Sequence, residues 1–180
     1  MLNSPGEPDT MMAQYRVIAG APILEEVEMI KVSTKGRYGT RLMLNLARNH
    51  NNGRKAVILK HVAEEEEISI RYLEQIVIPL KNTKLVKSIR GAGGGYSLAR
   101  NPSEITLCSI LEALEGSCAL TDCVDDHEIC HRYPTCAAFD VWSEASGILK
   151  DYFSKVTLQA VLDKSEKKPD GGKDASKPSH

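Results

Sequence analysis

The chain has 180 residues, 42% of them hydrophobic and 26% charged. That gives room for one compact domain plus an oligomerisation element, and is too apolar for wholesale disorder. The formal net charge of −1 hides a split: residues 29–102 carry 14 Lys/Arg against 5 Asp/Glu, a net of +9, whereas residues 103–162 carry 3 against 10, a net of −7. Such opposition points to a polyanion-binding module joined to one that leaves the polyanion alone.

Residues 1–28 carry proline, glycine and a net charge of −4, and read as a flexible leader or non-native extension. They lack the basic n-region and apolar core of a signal peptide, and Val17–Leu24, the longest uncharged apolar run there, is far below the ~18–20 residues of a membrane span. The expectation is a cytoplasmic protein without a membrane, where thiols stay reduced and clustered cysteines bind metal more often than they pair as disulfides. The folded chain is expected to begin at Met29, and a winged helix-turn-helix domain to occupy residues 29–116. Thr34 is placed to cap a first helix reaching about Asn49, with Tyr38, Leu42 and Leu46 on one face and Lys35, Arg37 and Arg41 near its start for phosphate contacts. Val57–Glu66 reads as a second helix turning Ile58, Leu59, Val62 and Ala63 inward, its glutamates Glu64–Glu67 solvated.

Ser69 can cap a third helix, in which Leu73, Ile76, Val77 and Leu80 recur at helical spacing. Its other face offers Arg71, Tyr72, Glu74 and Gln75, which can reach phosphates and base edges. Pro79 is expected to kink or tighten the helix, leaving the reading to its first two turns. Leu85–Ile89 and Tyr96–Ala99 alternate as strands around Arg90-Gly91-Ala92-Gly93-Gly94-Gly95, a glycine-rich hairpin tip. A wet helix face alone would explain Arg71 and Gln75; the adjoining wing turns the reading towards DNA, with Ser69 and Arg90 completing the contact set. The glycine run does not make a phosphate-cradling enzyme loop, because a strand pattern follows it where a helix is required, and no nucleophile–base pair stands out.

A fourth helix, Leu107–Glu115, lies between the cap Thr106 and the stop Gly116, with Cys108 as a small buried hydrophobe. Residues 117–136 form a cysteine-rich loop, and residues 137–162 a long dimerisation helix followed by a short one. Ala138, Trp142, Ala145, Leu149, Tyr152 and Val156 follow the 3.5-residue period of a coiled-coil seam, although an intramolecular amphipathic helix has the same spacing. Residues 163–180 read as a disordered tail. The fold class is thus mainly α with a small β-hairpin wing. In the loop, Cys123, Cys130 and Cys136 lack the C-x-x-C knuckles of structural zinc. Their wider spacing suits an iron–sulfur cluster, while zinc and thiol redox chemistry stay open. Cys118, His127 and His131 are available as further ligands.

Three stretches together carry a resemblance: VSTKGRYGTRLMLNLA, ISIRYLEQIVIPLKNTKLVKSIRGAGGGYSLAR, and C-x6-C-x5-C-AAFDVW. They are similar to the Rrf2 family of bacterial winged-helix regulators, over Met29 to about Leu162. The resemblance implies a homodimeric repressor on a near-palindromic double-stranded DNA operator. In IscR-like members the base-reading positions correspond to Arg71, Glu74 and Arg90, and the cluster cysteines to Cys123, Cys130 and Cys136. The histidine that completes the site in IscR is Phe139 here, which makes Cys118 the reserve ligand and leaves 2Fe–2S and 4Fe–4S both open. On this reading, cluster binding orders the loop and sets the separation of the two recognition helices. CymR-like relatives imply the alternative, a cluster-free regulator answering to a protein partner or to thiol oxidation.

Overall fold

The computed structural model describes residues 31–91 and 93–167. The leader expected over residues 1–28, and residues 168–180 of the expected tail, lie outside the described residues. Helix α1 spans Thr34–Asn51. Its cap is Ser33 rather than Thr34, because the Ser33 hydroxyl accepts from the Gly36 N–H at 3.1 Å. The helix ends within the polar run Asn49–Gly53: its last residue is Asn51, and the chain turns at Gly53, where φ is +74°.

Helix α2, Leu59–Glu66, starts two residues later than its apolar pattern suggests. Val57 is held instead in a bridge to Tyr96, each N–H donating to the other's carbonyl at 2.8 Å. That extended stretch turns Ile58 out to solvent, contrary to the inward position expected of it. Glu67, at φ +52°, closes α2 and leads to Ser69, whose hydroxyl accepts from the Tyr72 N–H at 3.2 Å and caps helix α3, Ile70–Asn82. Leu73, Ile76, Val77 and Leu80 are buried as the spacing demands. Pro79 does not end α3. Its ring removes a donor, but its carbonyl still accepts from the N–H and the hydroxyl of Thr83, both at 3.0 Å.

Strands β1, Val86–Ile89, and β2, Gly95–Leu98, pair antiparallel with Val86 opposite Leu98 and Ile89 opposite Gly95. A 3-10 turn at Pro102–Glu104 leads to helix α4, Leu107–Glu115, capped by Thr106 and ended at Gly116. The next segment contains helix α5, Asp122–Asp125, and 3-10 turns at His127–Ile129 and Tyr133–Thr135. Helix α6, Ala137–Lys155, and helix α7, Leu158–Glu166, complete the chain order. Helix α7 passes the expected limit at Leu162, because Gln159 donates to Asp163 at 2.7 Å and the Ser165 hydroxyl to the Leu162 carbonyl at 2.7 Å. The residues Asp163–Glu166 are therefore helix rather than disordered tail.

Leu42, Met43, Leu46, Leu73, Ile76, Leu80, Ile110 and Leu158 meet in a single core shared by α1, α3, α4 and α7. The fold is mainly helical with a two-stranded wing. Backbone bonds from Leu107 to Val156 and from Leu158 to Ile105, at 2.8 and 2.9 Å, fasten α7 beside α4. Helix α6 stands apart: it packs on α4 and α5, and Ser146 is its one buried residue. Within the subunit the expected seam is split: Ala138, Trp142 and Tyr152 are exposed, and Ala145 is half-buried. Leu149 and Val156 are half-buried within the subunit, whereas Val141, Trp142, Ile148 and Tyr152 are exposed, Ile148 by 63%. Among the described residues no helix is long and apolar enough to cross a membrane.

Candidate nucleic-acid interface and cysteine loop

The cap at Ser69 fixes where α3 begins, and so which side chains stand on its outer face. Arg71, Glu74 and Gln75 are exposed there, free to meet a duplex. Tyr72 is half-buried, its ring edge-on to Tyr38 with centroids 5.8 Å apart. Arg90 is exposed directly after β1. The hairpin behind it turns through Gly91 and Gly93, at φ +101° and +76°, with the Gly94 N–H donating to the Gly91 carbonyl at 2.9 Å. At its root, the Val57–Tyr96 bridge fastens the wing to the segment entering α2.

The α1 cations expected to meet phosphates have other partners. Lys35 donates its ammonium to the Leu114 carbonyl at the end of α4. Arg41 bonds Glu66 through Nε at 3.1 Å and also reaches the Glu66 carbonyl, while Arg48 lies 3.4 Å from the same carboxylate. Arg37 alone of the expected three keeps to its own helix, bonding Thr34 at 3.2 Å. Glu66 is thus a clamp rather than a solvated end. Asn45 joins it, donating to Glu65 at 2.7 Å and to Glu66 at 3.2 Å, and Asn49 donates to the Asn45 side chain at 3.0 Å. The Asn45 amide is satisfied because α1 and α2 meet, whereas Asn49 finds its partners within α1. The sequence signal was two asparagines four apart inside an apolar helix.

In the cysteine loop, Cys118, Cys123 and Cys130 are half-buried and Cys136 is exposed at the start of α6; all are free thiols. Cys123 contacts the Thr121 hydroxyl at 3.4 Å. Cys118 is close enough to Cys108 for the two thiols to influence one another. Burial pushes the Cys118 thiol up to about 11, with Cys108 and Glu112 adding to the rise and Lys150 opposing it. Lys150 is paired with Glu112 at 3.2 Å, which raises its own pKa. The start of the loop is strapped to α6 through the Leu120 N–H, which donates to Ser146 Oγ at 3.0 Å. Its middle is filled by rings: His127 stacks on Tyr133 at 4.1 Å, and Phe139 stands edge-on to Tyr133 at 4.5 Å.

Among the described residues no three His, Cys, Asp or Glu side chains are grouped to hold a metal ion. The donor types were legible in the sequence. The aromatic packing was not singled out, though His127, Tyr133 and Phe139 recur every six residues. The loop leaves α4 at Gly116, immediately after the contacts that anchor α1: Lys35 on the Leu114 carbonyl and the Ser33 hydroxyl on Glu115. Gly39 is packed so closely that an added methyl would lie 2.1 Å from a Leu114 methyl.

Residues 32–164 match the family model described as Rrf2, iron-dependent transcriptional regulator. The chain is 39% identical over 130 residues to the HTH-type transcriptional regulator CymR of Bacillus subtilis (strain 168), covering 72% of this chain and 88% of that one. The solved structure of CymR, the global cysteine regulator of B. subtilis, is similar with a TM-score of 0.62 and 38% identity, over 76% of this chain and 98% of that one. The structure of T. potens IscR is similar with a TM-score of 0.64 and 34% identity, over 79% and 94%.

Proposed function

Because the chain belongs to the Rrf2 family of transcriptional regulators, we propose that it is a homodimeric, cytoplasmic repressor that reads a near-palindromic DNA operator. The observation that carries this is the Ser69-capped helix α3, with Arg71, Glu74 and Gln75 outward, followed by a basic wing. Helix α3 supplies hydrogen-bonding side chains to a major groove. Arg90 supplies the charge that a narrow minor groove attracts. The second subunit covers the apolar stripe of α6, and two copies place their recognition helices on half-sites about 34 Å apart.

The regulatory input enters through residues 117–136. An iron–sulfur cluster on Cys123, Cys130 and Cys136 is supported by the motif resemblance and by the family's description as iron-dependent. Bound there, it would supply iron, redox or nitric oxide sensitivity. The similarity to CymR, the global cysteine regulator of B. subtilis, supports a second reading, in which a protein partner or thiol oxidation acts on the loop without a cluster.

The test is anaerobic purification, with visible absorption, iron and sulfide analysis, and anisotropy titrations against duplexes selected from a randomised pool. Salt-dependent binding by a dimer is expected, with iron and absorbance lost in Cys130→Ala. A colourless, iron-free preparation that binds equally well establishes the second reading. A protein that selects no duplex overturns both.

A further inference from the structure

Ile70 is the first residue of α3, and 43% of its surface faces solvent. Ile78, eight residues on, is 57% exposed. With Glu74 between them they form one i, i+4, i+8 stripe on the outer face. The helix has no packing need for either, because Leu73, Ile76, Val77 and Leu80 already bury its inner face. Nor does propensity favour a β-branched residue at an exposed helical position. Of the other exposed apolar side chains, Val141, Trp142, Ile148 and Tyr152 cluster on α6 and belong to the stripe assigned to the dimer, while Val32, Ile58 and Ile129 lie on neither helix. The pair on α3 stands instead among Arg71, Glu74 and Gln75.

Those three polar neighbours can read donors and acceptors. The thymine C5-methyl group is the one major-groove feature they cannot read, and apolar side chains recognise it by contact. We infer that Ile70 is a specificity residue that packs on a thymine methyl in each half-site. This rests on the reading of α3 as the recognition helix. Ile70 and not Ile78 has this role because the N-terminal residues of such a helix enter the groove. At 1.5 Å per residue, Ile78 lies about 12 Å further along the axis.

Duplexes selected by the wild-type protein from a randomised pool supply the probe. Thymines are then replaced singly by deoxyuridine, which keeps the base pair and removes only the methyl. Dissociation constants are measured at fixed salt for wild type, Ile70→Ala and Ile78→Ala, with melting temperatures to confirm the fold. One thymine per half-site is expected at which deoxyuridine weakens wild-type binding about fourfold, the effect of losing one buried methyl. The same replacement should leave Ile70→Ala unchanged and should still weaken Ile78→Ala. Wild-type binding indifferent to every deoxyuridine overturns the inference while leaving DNA recognition intact. So does a methyl dependence that survives in Ile70→Ala, or that disappears in Ile78→Ala alone. Failure of the wild type to select any duplex overturns the recognition-helix reading itself.

Discussion

Gly95 is the position at which a single methyl group should unseat the wing. It opens β2 at φ +152°, and a Cβ there would lie 2.4 Å from the Val57 carbonyl oxygen and 2.7 Å from its carbon. Both neighbours are backbone, and Val57 is the residue bridged to Tyr96 by two bonds of 2.8 Å. Alanine can be accommodated only by moving that backbone, which sacrifices the bridge. Two hydrogen bonds at about 0.5–1.5 kcal/mol each, plus about 1–3 kcal/mol for a backbone region reserved to glycine, give a loss of about 2–6 kcal/mol. The melting temperature should fall on the order of 10 °C. Gly93→Ala is the comparison. Gly93 also has a positive φ, +76°, but nothing lies within 4 Å of its added methyl, so only the left-handed cost of about 1–2 kcal/mol applies. Thermal unfolding followed by circular dichroism ranks the two variants, and anisotropy at fixed salt follows operator binding. Gly95→Ala should lose both stability and affinity relative to Gly93→Ala. If the two melt together and bind alike, the bridge does not hold the wing and the argument for its rigidity is wrong.

Arg90→Ala should weaken binding to a selected operator by about 1–3 kcal/mol while the dimer persists in size-exclusion chromatography. Unchanged affinity would remove the wing from the contact set. Ile148→Glu places a carboxylate on the uncovered stripe of α6, so sedimentation should show monomers with the helical circular dichroism of the wild type; a persistent dimer would put the interface elsewhere. For Cys118, the native thiol titrates at about 11 against an ordinary 9.0. Between those values the native state holds more protons than the unfolded state, so its stabilising contribution is complete below pH 9 and is lost as pH rises towards 11. The fall in melting temperature across that window should be shallower in Cys118→Ala, and equal slopes would show that the thiol is not buried against Cys108.

What could be read from the sequence was what local chemistry fixes. The Ser69 cap, the four apolar residues of α3 and the glycines of the hairpin each act within a few residues of themselves, and they are found where their spacing puts them. What escaped depended on distant partners. Val57 could be withdrawn from α2 only by Tyr96, and Ile58 was turned outward with it. The run Glu64–Glu67 looks solvated until α1 brings Arg41, Arg48 and Asn45 to Glu66. In α6 the repeat was legible, but that the subunit itself half-buries Leu149 and leaves Ile148 bare was not. The thiols show the same division: their number and type are local facts, and their grouping is not.

Besides the core they share, the acidic half of the chain meets the start of α1 through polar contacts of a size suited to regulation. Typical coupling free energies between two sites are about 1–3 kcal/mol. The Lys35 ammonium on the Leu114 carbonyl at the end of α4 complements the helix dipole by about 0.3–1 kcal/mol, and a hydrogen bond to a charged group contributes about 1.5–3 kcal/mol. Ser33, the cap of α1, is held on Glu115 one residue before Gly116, where the loop begins. A rearrangement of residues 117–136 that shifted the last turn of α4 would therefore release the start of α1 at a cost comparable to the coupling required. The Glu66 clamp lies at the other end of the same turn-to-helix unit and would keep α2 and α3 seated on α1 meanwhile. The core shared by α1, α3, α4 and α7 keeps α1 itself in place, so such a change reaches the reading head only as an adjustment at the start of α1.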